Sequence, residues 1–426
     1  MNFKRSAAFL AASTLFLAGC GNHLGGVNSG VAKRSLAYNA AAKRRAEKGG
    51  KWAILVHLAA ENNLYRFALQ DLNEMEAGLP TDGSVDVYVL FDGIKDGDSA
   101  IYKVKRDTGM NGNIISEKIS APEVIPASNE IDSGDVKVVT RFVEWAGKNI
   151  QADHFMIDFW DHGSGIFHGA PNPITKGFGW DDKGSNLETS DLTPLGNAFR
   201  AASGKPFSIV GFDACLMAHG EIAYQLRGNA DYLVASEELE PGAGWDYRGW
   251  FNALAQIPSK TPAAVGTALV DTYLASYAPG GSQTSGRDDT TLSLTDINAF
   301  TQNVVPALND FSSAAISSMS SNKEGFQAAR AKARTFYNRD CADLGSFLGN
   351  VRASVRDQRL AAATAKLDAA YRSAIVQTGN SPSRAGATGL VLYFPTPKQN
   401  INPRYSDPSK VAFAETSWKD FLKAYR

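Results

Sequence analysis

The sequence predicts an α/β fold: a mostly parallel sheet with helices on both faces, followed by a mainly helical C-terminal region. Three observations predict it. Apolar strand-like runs alternate with amphipathic helical stretches, which is the order of a parallel sheet built from crossover units. The strands read as near-continuous apolar runs, as strands buried on both sides do. Two of them stop abruptly on polar residues, one on Asp161-His162-Gly163-Ser164-Gly165 and the other on Asp213-Ala214-Cys215. Open α/β sheets place their sites at that edge.

In chain order, Trp52 to Ala59 is a continuous apolar strand, and Glu61-Asn62-Asn63 is a turn and cap. Leu64 to Gly78 is an amphipathic helix with Leu64, Phe67, Ala68, Leu72 and Met75 on one side. Val85 to Phe91 is the next strand, and Ile101 to Arg106 with Gly112 to Ile119 alternates like a β-ribbon. Asp135 to Asn149 is helical, with Val136, Val139, Phe142, Val143 and Ala146 as its stripe. The strand Phe155 to Trp160 follows. Gly165 to Leu192 is rich in Gly, Pro, Asn and Asp, a long connection of the kind that is functional or mobile. A helix from Thr193 to Ser203 leads to the strand Phe207 to Phe212, and a helix is expected from Leu216 to Leu226. Further expectations are a strand at Tyr232 to Ser236, a helix at Ala263 to Ala278, a strand at Thr291 to Leu294 and a helix at Ala299 to Ser318. Helices dominate Ser321 to Thr378. A last apolar strand, Gly389 to Phe394, either closes the main sheet or belongs to a C-terminal subdomain.

Residues 1–20 have the form of a targeting segment. Lys4 and Arg5 precede an apolar stretch, Ala7 to Leu17, too short to span a bilayer. It ends in Leu17-Ala18-Gly19-Cys20, which resembles a bacterial lipobox and implies cleavage before Cys20 and lipid attachment to its sulfur. Gly21 follows rather than Asp, which points to an outer-membrane address in the bacterial cell envelope. Residues 21–50 read as a flexible tether, partly helical over Leu36 to Lys48. Its basic residues Lys33, Arg34, Lys43, Arg44 and Arg45 suit a solvated face, anionic lipid, or trimming by a trypsin-like activity. A catalytic domain is expected over 51–298 and the helical region over 299–426.

Composition narrows the function classes. The 426 residues are 44% hydrophobic and 20% charged with a formal net charge of −1, so nothing in the balance suggests a nucleic-acid partner, and a monomer is expected. The three cysteines, Cys20, Cys215 and Cys341, are too few for a disulfide framework. With Cys20 consumed by lipid, the one remaining pairing would be Cys215 with Cys341. His57, His154, His168 and His219 lack the spacing of a zinc site, and no Asp/Asn-rich loop reads as a calcium site.

The chemistry concentrates at the two strand ends. His162 precedes Cys215 by 53 residues, room for a loop, a helix and the next parallel strand. Both side chains can thus reach one sheet edge from neighbouring strands. A helix beginning at Leu216 would place Cys215 near its N-terminus and favour the thiolate. A thiolate at 215 would attack a carbonyl, with His162 protonating the leaving group and later activating water. Backbone N–H groups of Gly163 and Cys215 suit an oxyanion hole. Asp213 is placed to cap the following helix.

Together, Asp161-His162-Gly163 and Asp213-Ala214-Cys215-Leu216-Met217-Ala218 resemble the clostripain family of cysteine peptidases, in the caspase-like group with gingipain and legumain. Trp52 to Asn63, Glu74-Met75-Glu76, Ala235-Ser236-Glu237-Glu238, Gly244-Trp245-Asp246-Tyr247 and Gly389 to Pro395 add to the resemblance. It implies a caspase-like fold and hydrolysis of peptide or protein substrates after Arg or Lys. It implies His162 as catalytic histidine, Cys215 as nucleophile and Asp213 at the pocket for a basic P1 side chain. Asp246 or Glu240 would supply a second acid there, since the turn Pro241 to Gly244 offers Ala243 instead. Self-cleavage in the loop after the histidine would fall at Lys176-Gly177, making the protein a zymogen. Some members need calcium; no cofactor is assigned here. An alternative is a catalytically silent surface lipoprotein that uses the same fold as a binding module.

Overall fold

The computed structural model describes residues 49–110, 112–166, 177–283 and 289–426, all within one compact unit. Its frame is a nine-stranded sheet. In chain order the strands of the described residues are β1 (Trp52–Ala59), β2 (Val85–Asp92), β3 (Ala100–Lys103), β4 (Glu117–Ile119), β5 (His154–Trp160), β6 (Phe178–Trp180), β7 (Asn186–Leu187), β8 (Phe207–Asp213), β9 (Ala230–Ala235), β10 (Thr291–Asp296), β11 (Cys341–Asp343), β12 (Ile375–Asn380) and β13 (Val391–Tyr393), of which β6 with β7 and β11 with β13 form two small sheets of their own. The sheet order is β12-β10-β9-β8-β5-β1-β2-β3-β4. The five central strands, β9 to β2 in that order, are parallel, and antiparallel strands finish both edges.

The pleat divides the apolar residues between two cores. On β1, Ala53 and Leu55 point to one face, while Trp52, Ile54, Val56 and Leu58 point to the other. The first face is covered by the helices Val136–Asn149 and Leu192–Ser203, which bring Val139, Phe142, Val143, Leu195 and Phe199. Asp135 caps the first of these by accepting from the Lys137 N–H, which satisfies one of the orphan donors of that helix end. The second face is covered by Tyr65–Gly78, Tyr247–Gln256 and Pro262–Ser276.

The expected division at 298/299 is not a break in packing. Ile297, Phe300, Val304, Leu308 and Phe311 belong to the same core as Phe159 and Phe212 of the central strands. Beyond it the chain is mainly helical, over Val305–Lys332, Leu344–Ser354, Gln358–Ala374 and Trp418–Tyr425. The alternatives left open for Gly389 to Phe394 resolve as follows. β13 pairs with β11 in a separate two-stranded sheet, and it is β12 that closes the main sheet against β10. Among the described residues no helix is long and apolar enough to cross a membrane. Cys20 and the whole 1–20 segment, most of the tether, Lys176 and His168 lie outside the described residues.

Candidate active site

β5 and β8 are parallel neighbours, with Trp160 paired to Asp213, and the Asp161 N–H donates to the Asp213 carbonyl at 3.2 Å. The chain leaves both strands at the same level. His162 and Cys215 each lie two residues past the pair, side by side at the C-terminal edge of the sheet. Gly163 shows how closely the two loops pack: a Cβ there would stand 2.3 Å from the Cys215 carbonyl oxygen and 3.1 Å from the Cys215 nitrogen. Only glycine allows that approach.

His162 is held on two sides. Its ring stacks on Trp180 with centroids 5.0 Å apart, and Nε2 faces Oδ1 of Asn63 at 2.8 Å. With an acceptor at Nε2, the neutral ring carries its proton there and leaves the Nδ1 lone pair as the base. Burial holds this imidazole below its ordinary pKa, against the opposing pull of Asp182. Asp161 turns inward, where its carboxylate accepts from Asn62 Nδ2 at 2.8 Å and from the Trp180 N–H. It braces the loop. In the sequence Asn62 and Asn63 read as a turn and cap within the stretch that carries the family resemblance, with no sign of a contact to the histidine; the signal for Asn63 is its amide type beside a strand end that neighbours the histidine.

Cys215 is half-buried and free, as is the buried Cys341 on β11, so the two are not paired. The sulfur accepts from the Glu240 N–H at 3.2 Å. The expectation of a thiolate at a helix N-terminus is corrected. After Asp213 the chain turns through Leu216, at a left-handed φ of 66°, and the helix starts only at Gly220, for six residues. Without that dipole, burial pushes the thiol up to about 11, and nearby Asp213 and Glu238 push the same way, while the Glu240 N–H opposes them.

Behind Cys215 lies a buried group of acids. Asp213 does not cap the next helix, whose N-cap is His219. Its Oδ2 accepts from the Trp245 N–H at 3.1 Å and lies 2.9 Å from the Tyr247 hydroxyl. Burial raises its carboxyl to about 6. Glu240 lies beside it, its carboxyl held well above the ordinary range by burial and by the charge of Asp213. Asp246, expected in this group, is engaged elsewhere. It caps the helix Tyr247–Gln256 by accepting from the Gly249 N–H at 2.6 Å and takes a second bond from Ser282 Oγ at 2.7 Å. Of the two acids considered for the second position, the fold therefore turns Glu240 toward Asp213.

One group of carboxylates has the form of a cation site: Glu61, Asp92 and Asp181, whose oxygens lie within 4.8 Å of one another. The Lys183 ammonium sits against Glu61 and the Lys183 N–H on Asp181, while Asp92 Oδ2 is buried without a partner.

A thiol and an imidazole thus leave neighbouring strands at one edge of a caspase-like sheet, with buried carboxyl groups behind them. Comparison with known proteins agrees. The clostripain family model matches residues 56–425, and the chain belongs to that family of cysteine peptidases. It is 29% identical over 234 residues to clostripain of Hathewaya histolytica, covering 50% of this chain and 44% of that one, so the match spans less than half of the relative's length. A secreted C11 cysteine protease from Bacteroides thetaiotaomicron, solved with an irreversible peptide inhibitor, superposes with a TM-score of 0.63 at 19% identity, over 88% of this chain and 99% of that one. An inactive zymogen C11 protease from Parabacteroides distasonis does so with a TM-score of 0.56 at 16% identity, over 88% and 97%. At these identities the two structures speak for the fold.

Proposed function

We propose that this protein is a membrane-anchored cysteine endopeptidase that cleaves peptide bonds after Arg or Lys through Cys215 and His162. The observation that carries the reading is the register of β5 against β8, which brings the His162 and Cys215 loops together at one sheet edge. Because the free thiol is held up by burial, it is activated on demand: His162, neutral and with Nδ1 free of the Asn63 contact, takes the thiol proton as sulfur attacks the scissile carbonyl. The imidazolium then protonates the leaving amine, and the neutral ring activates water to hydrolyse the acyl-enzyme. The backbone N–H groups of Gly163 and Cys215 serve the oxyanion, each such donor being worth about 3 kcal/mol. Asp213 supplies the negative charge for a basic P1 side chain.

Three further parts belong to the proposal. Lipid on Cys20 tethers the enzyme to the outer membrane of the cell envelope, so Cys20→Ala should move it from the membrane fraction to the soluble one. The enzyme matures by self-cleavage at Lys176-Gly177; Lys176→Ala should then run as one intact band, and persisting fragments would place the cut elsewhere. Gly177 is hydrogen-bonded to Ser164 through both N–H and carbonyl, so the new end would stay beside the histidine loop. The whole reading is tested by profiling a peptide library with wild type beside Cys215→Ala. Cleavage after Arg or Lys by the wild type alone is expected; cleavage that survives loss of Cys215 would refute it.

A further inference from the structure

Four carboxyl groups meet behind Cys215: Asp71, Asp158, Asp213 and Glu240. Among the described residues none of the four forms an ion pair; the neighbouring pairs use Glu61 with Lys183 and Glu238 with Arg384. The hydrogen bonding requires a proton in this cluster. The single hydroxyl of Tyr247 lies 2.6 Å from Asp158 Oδ2 and 2.9 Å from Asp213 Oδ2, yet a phenol has one proton to donate. The other short contact needs a carboxyl O–H.

Glu240 shares a side-chain hydrogen bond with Asp213, a contact between two acids that itself needs a proton. Apart from Asp213, its buried carboxyl oxygens meet no donor, and the hydroxyl of Tyr273, a fully buried residue that faces it, is likewise unpartnered. Its backbone N–H, meanwhile, is on the Cys215 sulfur at 3.2 Å. A substrate whose scissile carbonyl sits on that sulfur has its P1 side chain next to residue 240. The groups facing the Glu240 carboxyl are Asp213 and Cys215 from the β8 end, Asp158 from β5, and Tyr273 and Tyr277 from the helix over the second face. None is a cation. A buried pair of acids sharing a proton, with an unused hydroxyl beside it, suits a ligand that brings several N–H donors and a positive charge to take that proton's place.

We propose that Glu240 completes the P1 pocket begun by Asp213, holding a proton while the pocket is empty and releasing it to solvent when a basic side chain enters. The inference rests on the reading that P1 is Arg or Lys. The empty pocket then holds one negative carboxylate and one neutral acid; the occupied pocket holds two carboxylates around one cation. Recognition is therefore coupled to pH. In the range where Glu240 keeps its proton in the empty pocket, affinity for a basic ligand rises about tenfold per pH unit, because one proton leaves for each ligand bound.

The test is calorimetry on the full chain carrying Cys215→Ala, titrated with a tripeptide amide ending in arginine at pH 7 in phosphate and in Tris. The dependence of the observed heat on buffer ionisation enthalpy counts the protons. Release of about one proton per peptide is expected, falling to near zero with weaker binding in the added Glu240→Gln variant. Binding without proton release, or equal release from the Glu240→Gln protein, would overturn the inference while leaving the basic-P1 reading standing. The count on the Glu240-containing protein is decisive even if the variant folds poorly. If the arginine peptide does not bind and wild type cleaves after neutral residues, the basic-P1 reading fails and takes this inference with it.

Discussion

Replacing Gly163 by alanine is the most revealing single perturbation, because its effect follows from distances alone. The new Cβ would lie 2.3 Å from the Cys215 carbonyl oxygen and 3.1 Å from both the Cys215 nitrogen and the Ala214 Cβ. Ordinary contact starts at 3.4 Å, so the two loops must part by about 1.1 Å (3.4 − 2.3). A displacement of about 1 Å between reacting groups costs roughly 10²-fold in rate. Overpacking of this kind also costs about 1–3 kcal/mol of stability. Gly163→Ala should therefore lower kcat/KM on the best library peptide by about 100-fold, with a smaller loss in melting temperature. Steady-state kinetics and thermal melts on the same preparation read both. Activity within about threefold of wild type in a folded protein would show that the histidine and cysteine loops need not be in contact, and would refute the argument.

Other consequences follow from the same geometry. Asn63→Asp places a carboxylate on His162 Nε2; an opposite charge favours the imidazolium, so the acid limb of the kcat/KM–pH profile should move up by about one unit, and an unmoved limb would show that His162 is not the titrating base. With its thiol at about 11, free Cys215 is only about one part in 10⁴ thiolate at pH 7, so iodoacetamide labelling should climb steadily through pH 8 to 10; a plateau below pH 7 would mean a pre-formed thiolate. Asp213→Asn should raise KM for Arg and Lys substrates by about tenfold or more with less effect on neutral ones, measured on paired peptides, and unchanged selectivity would place the P1 pocket elsewhere. Asp246→Ala should lower stability by about 1 kcal/mol through loss of the cap and leave P1 selectivity unchanged; a change in selectivity would return Asp246 to the pocket.

The parts legible in the sequence are those fixed by local pattern. The apolar runs of β1, β5 and β8 and the stripe of Val136–Asn149 state their own burial, and the spacing of His162 from Cys215 allows one strand-helix-strand unit. What the sequence hid depends on contacts distant in the chain. β12 is half-exposed and polar at the sheet edge, without the apolar run that marks a buried strand. The helix expected from Leu216 begins at Gly220 because the chain first turns through Leu216, whose N–H is drawn to the Glu238 carbonyl. That tertiary bond overrides local propensity and removes the expected dipole from Cys215. The role of Asn63 comes from chain 99 residues away from its partner His162, and the sequence offers Glu240 beside Asp246 without showing that it is the Glu240 N–H, 25 residues on, that meets the Cys215 sulfur. Asp246 reads as a pocket acid in sequence because an N-cap aspartate and a pocket aspartate look alike until its partner Gly249 is seen.

The pairing of sulfur and imidazole is tested most directly by mapping, by mass spectrometry, where a peptidyl electrophile with a basic P1 residue attaches. The account predicts one adduct, on Cys215, formed far more slowly in His162→Ala and never on Cys341. An adduct on Cys341, or an undiminished rate without His162, would contradict it.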